Sequence, residues 1–373
     1  MRGFRIGRFG IGFTLALACA AGSARAEISD NVVRVGVLND ISGIFQDTNG
    51  MGSVEAARMA AEDFNGGGKG IKVEIVYADH QNKADVGSAI ARKWLDVEGV
   101  DAIVDVPNSA VGLAINTILR DSRMTFLASS TASSDLTGKA CSPNTIQWVN
   151  DAWATGNTTA AAMMQRGGKD WYFVTVDYAL GKGIEAEATN YIEKHGGKVL
   201  GSSKHPLGTS DFASFLLQAQ GSKAKVIGLA NAGGDTINAV KQAAEFGIVA
   251  GGQRLAALLF TLAEVHGLGL DAAQGLTLTE SFYWDRDDKS REFGERFFKR
   301  TGRMPNMVHA GTYSGVMQYL KAIEKAGTDA TEPVAKAMHE LPVDDVFARN
   351  AKVGANGRLI SDVYLMEVKK PEE

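Results

Sequence analysis

The chain has 373 residues, with 39 basic and 43 acidic side chains and a formal net charge of −4. This acidic balance argues against nucleic acid or an anionic membrane surface as a partner. The chain is long enough to bury two separate hydrophobic cores.

The first 26 residues have the pattern of a secretory signal peptide. Arg2, Arg5 and Arg8 precede an apolar segment at 11–21 that is too short to span a bilayer, and an Ala-Arg-Ala cleavage sequence ends at Ala26. We therefore expect export and cleavage after Ala26. No later stretch is apolar over about 18 residues, so no transmembrane helix is expected.

Cleavage would change both the charge and the cysteine content. It removes four arginines and no acid, so 35 basic residues face 43 acidic ones and the net charge becomes −8. It also removes Cys19 and leaves only Cys141, so the exported chain has to fold without an internal disulfide. Lipid attachment at Cys19 is an alternative, although Ala16 stands three residues upstream, where such sites usually carry leucine.

From residue 32 onward, predicted strands and helices alternate through short connectors. Runs of β-branched residues predict strands, and apolar residues at helical spacing predict helices. The first half reads as strand 32–38, helix 53–64, strand 71–78, helix 84–95, strand 102–106, helix 109–119 and strand 124–128. The second half reads as helix 152–165, strand 171–176, helix 182–194, strand 198–202, helix 212–220, strand 225–230, helix 236–246 and strand 255–260. This alternation predicts an α/β fold of two similar lobes with parallel sheets.

The last part of the chain is mainly helical. Helices are predicted at 290–299, 309–326 and 332–339, and two short strands at 351–353 and 363–368. The Asn356-Gly357 pair between these strands is a hairpin signal. Because no Pro-rich or Ser/Gly-rich linker separates the lobes, we expect strands to join them and to act as a hinge.

Several segments resemble one known family. They are the strand at 34–38 with the following Ile41-Ser-Gly-Ile-Phe45, the helix at 52–60, the strand end at Asp79, the Asn108-Ser109 helix start, and Asp177-Tyr-Ala-Leu-Gly181. These residues resemble the leucine/isoleucine/valine-binding branch of the periplasmic solute-binding proteins of ABC transporters. The resemblance covers residues 30–368. More narrowly, segments 79–85, 132–139 and 211–220 resemble a subgroup whose ligands include benzoate-like and phenylpropanoid acids.

The resemblance implies a type I periplasmic binding protein fold. Two Rossmann-like lobes with parallel central sheets would be joined by a three-strand hinge and would close on a ligand. The implied division places 27–149 and 284–345 in the N-terminal lobe, and 150–283 and 346–373 in the C-terminal lobe. The implied function is capture of a small carboxylate in the periplasm and its delivery to an ABC permease in the inner membrane, by a monomeric binding protein.

Two hydroxyl-rich or amide-rich loops are candidate carboxylate sites. The apolar strand at 124–128 is followed by a Ser/Thr-rich run, and small ligands of open α/β sheets lie at the carboxyl ends of strands. By resemblance, Ser130, Thr131 and Ala132 form one such loop, and Asn108 with Ser109 forms the other. The alternative for each is ordinary capping of a helix or turn.

Aromatic residues near predicted strand ends could hold a ring-shaped ligand by stacking. The candidates are Phe45, Trp153, Tyr178 and Tyr283, and core packing is the alternative for each. The subgroup resemblance implies an aromatic acid of the benzoate, hydroxybenzoate or phenylpropanoid type, and these residues could contact its ring.

Amino-acid binding is the alternative ligand hypothesis. Amino-acid binders of the family supply a carboxylate for the ammonium group from the second lobe, but segment 258–262 contains no acid and the next one is Glu264. Asp235 could serve instead, although capping of the helix at 236 explains it. Asn231 and Ala232, in the loop before Asp235, complete the set of predicted ligand contacts.

No motif indicates catalysis or a resident cofactor. The chain has neither a G-x-S-x-G elbow nor a complete phosphate-binding loop, and its six histidines lack metal-ligand spacing. A glycine pattern at 267–272 follows no convincing strand. We therefore expect no enzyme activity, no metal and no cofactor, while a sensor that presents its ligand to a receptor stays open beside a transport protein.

Overall fold

The structure is a computed structural model that describes Met1, residues 28–66 and residues 70–370. Apart from Met1, the predicted signal peptide at 1–26 lies outside the described residues. Within the described part of the chain, no helix is both long enough and apolar enough to cross a membrane.

Short strands and longer helices alternate along the chain. The strands are β1 (Val33–Asn39), β2 (Val73–Asp79), β3 (Ala102–Asp105), β4 (Thr125–Ala128), β5 (Thr145–Gln147), β6 (Asp170–Val176), β7 (Lys198–His205), β8 (Val226–Ala230), β9 (Arg254–Ala257), β10 (Thr277–Glu280), β11 (Lys352–Val353), β12 (Leu359–Ile360) and β13 (Tyr364–Glu367). The helices are α1 (Gly50–Gly66), α2 (Ala84–Lys93), α3 (Ser109–Leu119), α4 (Ala152–Gln165), α5 (Ala179–Lys194), α6 (Ala213–Gly221), α7 (Gly234–Glu245), α8 (Leu262–Leu268), α9 (Leu270–Ala273), α10 (Asp288–Thr301), α11 (Met307–Ala326) and α12 (Thr331–Glu340).

The first lobe is built on a parallel sheet of five strands in the order β2-β1-β3-β4-β5. Its side chains alternate between two faces, as the pleat of a strand requires. Val35 and Val104 face a core shared with α1, α10, α11 and α12, whereas Ile103 and Phe126 face a core shared with α2 and α3. Helices therefore cover both faces of the sheet.

The second lobe is built on a six-stranded sheet in the order β13-β10-β9-β8-β6-β7. Its strands are parallel except for β13, which pairs antiparallel with β10. Trp171 and Phe173 pack into one core, while Tyr172 and Val174 pack into the core on the opposite face. The predicted two-lobed α/β architecture with parallel central sheets is confirmed.

The end of the chain differs from the sequence-based expectation. The short strand at 352–353 pairs with β12 rather than with the strand near 364, which joins the second sheet instead. The Asn356-Gly357 signal is therefore a real turn, but its second strand is only two residues long and was too short to be recognised.

The packing of the last residues indicates a different position for the last lobe boundary. Phe347, Val353 and Leu359 pack into the core of the first lobe, although the predicted division assigned 346–373 to the second lobe. β13 and Val368 join the sheet and core of the second lobe. We therefore propose that the last crossing lies at 360–364. The rest of the division remains a prediction from the sequence, and Phe282, at the end of its 150–283 segment, packs into the core of the first lobe.

The first and last crossings are tied together. The amide N–H of Gln147 donates to the carbonyl of Gly357 at 2.8 Å, and the Arg358 guanidinium forms an ion pair with Asp151. Asp151 also caps α4 by accepting a hydrogen bond from the amide of Ala154 at 2.9 Å. One buried carboxylate thus fixes both the start of α4 and the strand that returns to the second lobe.

Candidate functional site

A small cavity lies between the lobes. Its walls come mainly from loops that follow strands of the two parallel sheets, the usual place for a ligand in open α/β folds. The first lobe contributes Phe45, Thr48, Asn49, Pro107, Ser130, Ala132, Met307 and Val308. The second lobe contributes Leu180, Ala232, Gly233, Leu259, Thr261 and Glu264, and the first crossing contributes Val149 and Asn150.

The two lobes touch directly at one side of the cavity. The amide N–H of Gly234 donates a hydrogen bond to the carbonyl of Ile44 at 3.0 Å. Gly233 has a φ of +61°, and a Cβ atom there would lie 2.5 Å from the Ile44 oxygen. The approach of the lobes therefore depends on the missing side chain of Gly233.

The first-lobe wall rests on a strained turn. Asp105 and Val106 have φ angles of +85° and +62°, which side chains with a Cβ rarely adopt. The backbone oxygen of Asp105 accepts from the Ser130 amide at 3.2 Å, and that of Val106 accepts from the Thr131 hydroxyl at 2.6 Å. These bonds hold the Ser130 loop beside Pro107 and set its position at the cavity.

The Asp105 side chain supports the same wall from behind. It is fully buried, and it accepts hydrogen bonds from the side-chain amides of Asn39 at 3.1 Å and of Asn49. Burial raises the pKa of Asp105 to about 6, despite these donors. Asn49 lines the cavity, so the carboxyl of Asp105 fixes a side chain that a ligand would meet.

Glu264 is the ionisable group of the second-lobe wall. It forms a capping box with Thr261, whose amide and hydroxyl donate to Oε2 at 2.8 and 2.7 Å. The residue is only 2% exposed, and Oε1 has no hydrogen-bond partner among the described residues. Burial raises the pKa of Glu264 to about 7.

A second buried glutamate lies behind Glu264. Glu280, at the end of β10, is 0% exposed and accepts a hydrogen bond from the amide of Leu262. Its Oε2 also has no partner within the described part of the chain. Burial, with the nearby Glu264 as a further cause, raises the pKa of Glu280 to about 8.

Of the described side chains that line the cavity, Glu264 is acidic and none is basic. A buried carboxylate with a free oxygen is stabilised by a cation, and a carboxylate ligand would repel it unless one of the two is protonated. The remaining polar lining consists of hydroxyl and amide groups. Phe45, Leu180, Leu259 and Val308 supply apolar surface.

Four of the residues predicted from sequence line this cavity: Phe45, Ser130, Ala132 and Ala232. The structure gives the carboxylate candidate Asn108 its alternative role, because its side chain accepts from the amides of Ala110 and Val111 as the cap of α3. Ser109, the first residue of α3, is buried and does not line the cavity.

The other predicted contacts also lie outside the cavity lining. The Thr131 hydroxyl donates to the carbonyl of Val106. Asn231 is buried, and its side chain forms hydrogen bonds with His205 at 3.0 Å and with the Thr236 hydroxyl at 2.7 Å. Tyr178 packs against the second-lobe core. Trp153 and Tyr283 are 50% and 36% exposed, and the Arg358 guanidinium lies over the Trp153 ring.

Sequence reasoning missed Glu264 as a cavity residue, together with Thr48, Asn49 and Asn150. A signal for Glu264 was present, because Thr261-Leu-Ala-Glu264 is a capping-box pattern directly after a predicted strand. This pattern placed the Glu264 carboxylate at a helix start, at the carboxyl ends of the strands where ligands bind. It could not show that one carboxylate oxygen stays free.

The profile of the periplasmic binding protein family matches residues 32–372. The chain belongs to this family. Proteins of this family bind small-molecule solutes rather than catalyse reactions, and those of ABC transporters deliver the solute to a permease. The fold is that of a type I periplasmic binding protein, as the sequence resemblance implied.

Solved structures of this family cover nearly the whole chain. A periplasmic binding protein from Burkholderia mallei is 44% identical over 92% of this chain and 91% of its own, with a TM-score of 0.88. A branched chain amino acid ABC transporter periplasmic ligand-binding protein from Burkholderia xenovorans is 37% identical over 91% of both chains, with a TM-score of 0.81.

A more distant structure is a solute-binding protein of an ABC transporter from R. palustris in complex with benzoate. It is 19% identical over 91% of this chain and 93% of its own, with a TM-score of 0.81, and it shares the fold. No curated protein matches the sequence.

Proposed function

We propose that this periplasmic binding protein captures an amino acid with an apolar side chain for import by an ABC permease. The observation that carries the proposal is the free Oε1 of Glu264 at the cavity wall, in the absence of a basic side chain among the described lining residues. A free carboxylate oxygen in a buried site accepts hydrogen bonds from an ammonium group and pairs with its charge.

The rest of the cavity suits the other parts of such a solute. Ser130 and Ala132 belong to the first-lobe wall, where the Ser130 hydroxyl and the Ala132 amide would donate to the solute carboxylate. Phe45, Leu180, Leu259 and Val308 offer apolar surface to its side chain. The solute would then contact both lobes and stabilise the closed form by its differential affinity.

This proposal reverses the ligand preference drawn from the sequence. An aromatic acid without an amine was favoured because of the subgroup resemblance and because segment 258–262 contains no acid to pair with an ammonium group, while four aromatic residues were expected at the site. In the structure, Phe45 is the only one of those four at the cavity wall, and Glu264 is there as well. The name of the Burkholderia xenovorans protein, which is 37% identical, also supports an amino acid as the ligand.

The test is a ligand screen on the mature chain after removal of carried-over solute by unfolding and refolding. Leucine, valine and phenylalanine are compared with benzoate, 4-hydroxybenzoate and cinnamate by thermal shift and then by titration calorimetry. A ligand that binds only the folded state raises the melting temperature. We expect stabilisation by one or more of the amino acids and none by the acids that lack an amine.

The variant Glu264→Gln separates the role of the carboxylate from the shape of the site. We expect at least about a tenfold loss of amino-acid affinity, since a buried charged hydrogen bond contributes roughly 1.5–3 kcal/mol. Glu245→Gln, an exposed glutamate of the same lobe, is the control and keeps wild-type affinity. Stabilisation by the aromatic acids with no response to amino acids would refute the proposal and restore the preference for an aromatic acid.

A further inference from the structure

Glu264 and Glu280 form a pair of buried carboxyls at one point of the second lobe. Two consecutive backbone amides hold them, because Thr261 N–H donates to Glu264 and Leu262 N–H donates to Glu280. Each carboxyl keeps one oxygen that no described donor meets in good hydrogen-bond geometry, although the Thr48 hydroxyl lies beside Glu264 and the Met307 amide beside Glu280. Glu264 therefore lies in the wall that would meet the solute ammonium, and Glu280 lies behind it.

Two negative charges cannot be buried at this place without compensation. A buried carboxylate loses its hydration, and a second one nearby adds repulsion, so such a pair retains protons near neutral pH. The negative charge of Asp47, on the first-lobe loop that faces Glu264, also raises the pKa of Glu264, although Asp47 forms an ion pair with Arg303. No basic side chain is found among the described residues that line the cavity.

The groups that approach the pair from the first lobe are also not cations. The Thr48 hydroxyl lies beside Glu264, and the Met307 amide lies beside Glu280. His309, one turn into α11, contacts the Asn49 carbonyl at 3.3 Å, and burial lowers its pKa to about 4. The imidazole is therefore neutral above about pH 5 and does not compensate the carboxylates.

We propose that Glu264 is protonated in the ligand-free protein and loses its proton when a solute ammonium enters, so that capture of the solute releases one proton to the solvent. The inference rests on the proposed function, because it requires a ligand that carries an ammonium group. The step is balanced: the carboxylic acid of Glu264 and the ammonium ion give a carboxylate–ammonium ion pair and one free proton. Glu280 stays neutral beside it.

The coupling makes solute affinity depend on pH. At a pH where Glu264 is ionised before binding, no proton has to leave and affinity is highest. At lower pH each binding event has to expel a proton, so the dissociation constant rises about tenfold for each pH unit. The value of about 7 for the pKa of Glu264 places this change below neutral pH. Binding is therefore weakened in an acidified periplasm.

The experiment is titration calorimetry of the mature protein with L-leucine and L-phenylalanine from pH 5.5 to 8.5. Each titration is done in two buffers that differ in ionisation enthalpy, phosphate and Bis-Tris, so that the number of exchanged protons follows from the difference in measured heat. We expect the release of about one proton at pH 5.5–6, with a fall toward zero at pH 8.5, and a parallel change in affinity.

Two variants identify the proton donor. Glu280→Gln removes the second titrating carboxyl and still releases the proton if it comes from Glu264. Asp235→Asn is the matched control, since Asp235 is another buried carboxyl of the second lobe, with a pKa raised to about 6, but it does not line the cavity. We expect Asp235→Asn also to release the proton on binding.

The outcomes separate this inference from the proposed function. Amino-acid binding without proton exchange at any pH overturns the inference and leaves the proposed function intact. Release that disappears in Glu280→Gln assigns the proton to Glu280 and overturns the role given to Glu264. Failure of every amino acid to bind overturns both statements.

Discussion

At the scale of the residue, closure of the cleft depends on the absence of a side chain at Gly233. A Cβ atom there would lie 2.5 Å from the Ile44 oxygen and 3.0 Å from Cδ1 of Phe45. We expect Gly233→Ala to lower solute affinity by at least about tenfold, because the closed form that the solute stabilises becomes strained. Titration calorimetry measures the effect.

The control for this prediction is Gly247→Ala. Gly247 has nearly the same φ, +62°, but a Cβ atom added there would meet no other atom within 4 Å. Both variants carry a conformational penalty in the folded state, whereas only Gly233→Ala obstructs the contact between the lobes. Equal affinities of the two variants would show that the contact at Ile44 plays no part in closure.

At the scale of the element, one ion pair fastens the last crossing to the start of α4. Asp151 is fully buried and Arg358 is 19% exposed at its side chain. Removal of the cation leaves a buried carboxylate without its partner, which costs about 3–5 kcal/mol in well-buried pairs. Because Arg358 keeps some solvent contact, we expect Arg358→Gln to lower the free energy of unfolding by about 2–3 kcal/mol. Urea denaturation measures this.

An exposed ion pair provides the comparison. Arg166 and Glu367 also join α4 to the end of the chain, at 2.5 Å, but their side chains are 40% and 49% exposed. We expect Arg166→Gln to change the free energy of unfolding by less than about 1 kcal/mol. If both substitutions had the same effect, burial of Asp151 would not explain the stability of this connection.

At the scale of the whole molecule, the buried glutamates determine how stability changes with pH above 6.5. Burial raises the pKa values of Glu264 and Glu280 from 4.5 to about 7 and about 8. Between pH 4.5 and 8 the folded state therefore binds more protons than the unfolded state, so stability falls as pH rises. We expect the melting temperature of the ligand-free protein to fall between pH 6.5 and 8.5, as calorimetry can show.

Other buried groups act mainly at lower pH. The pKa values of His80 and His309 are lowered to about 4, so their opposite effect is confined to pH values below 6.5. Three of the buried aspartates, Asp101, Asp105 and Asp235, have pKa values raised to about 6 and act mainly below that pH. Glu280→Gln should flatten the decline above pH 6.5. A melting temperature that rises with pH in wild type would contradict the prediction.

Most of the elements and the fold class were predictable from the sequence. Helix α3 was predicted with its observed bounds, since Asn108 supplies the cap and the apolar spacing continues to Leu119. β5, with three residues, and β12, with two, were missed because so short a run shows no alternation. These signals are local: a cap or a periodic face depends on neighbours along the chain.

The residues that form the cavity could not be predicted in the same way, because they come from distant parts of the chain. Asn108 and Asn231 have the residue types of a binding site, but the side-chain oxygen of Asn108 accepts from the amides of α3, and the side chain of Asn231 bonds His205 and Thr236. Glu264 caps a helix, yet the capping box uses a single carboxylate oxygen, and the other has no hydrogen bond of good geometry. Whether a polar atom is satisfied depends on groups that folding brings from distant parts of the chain.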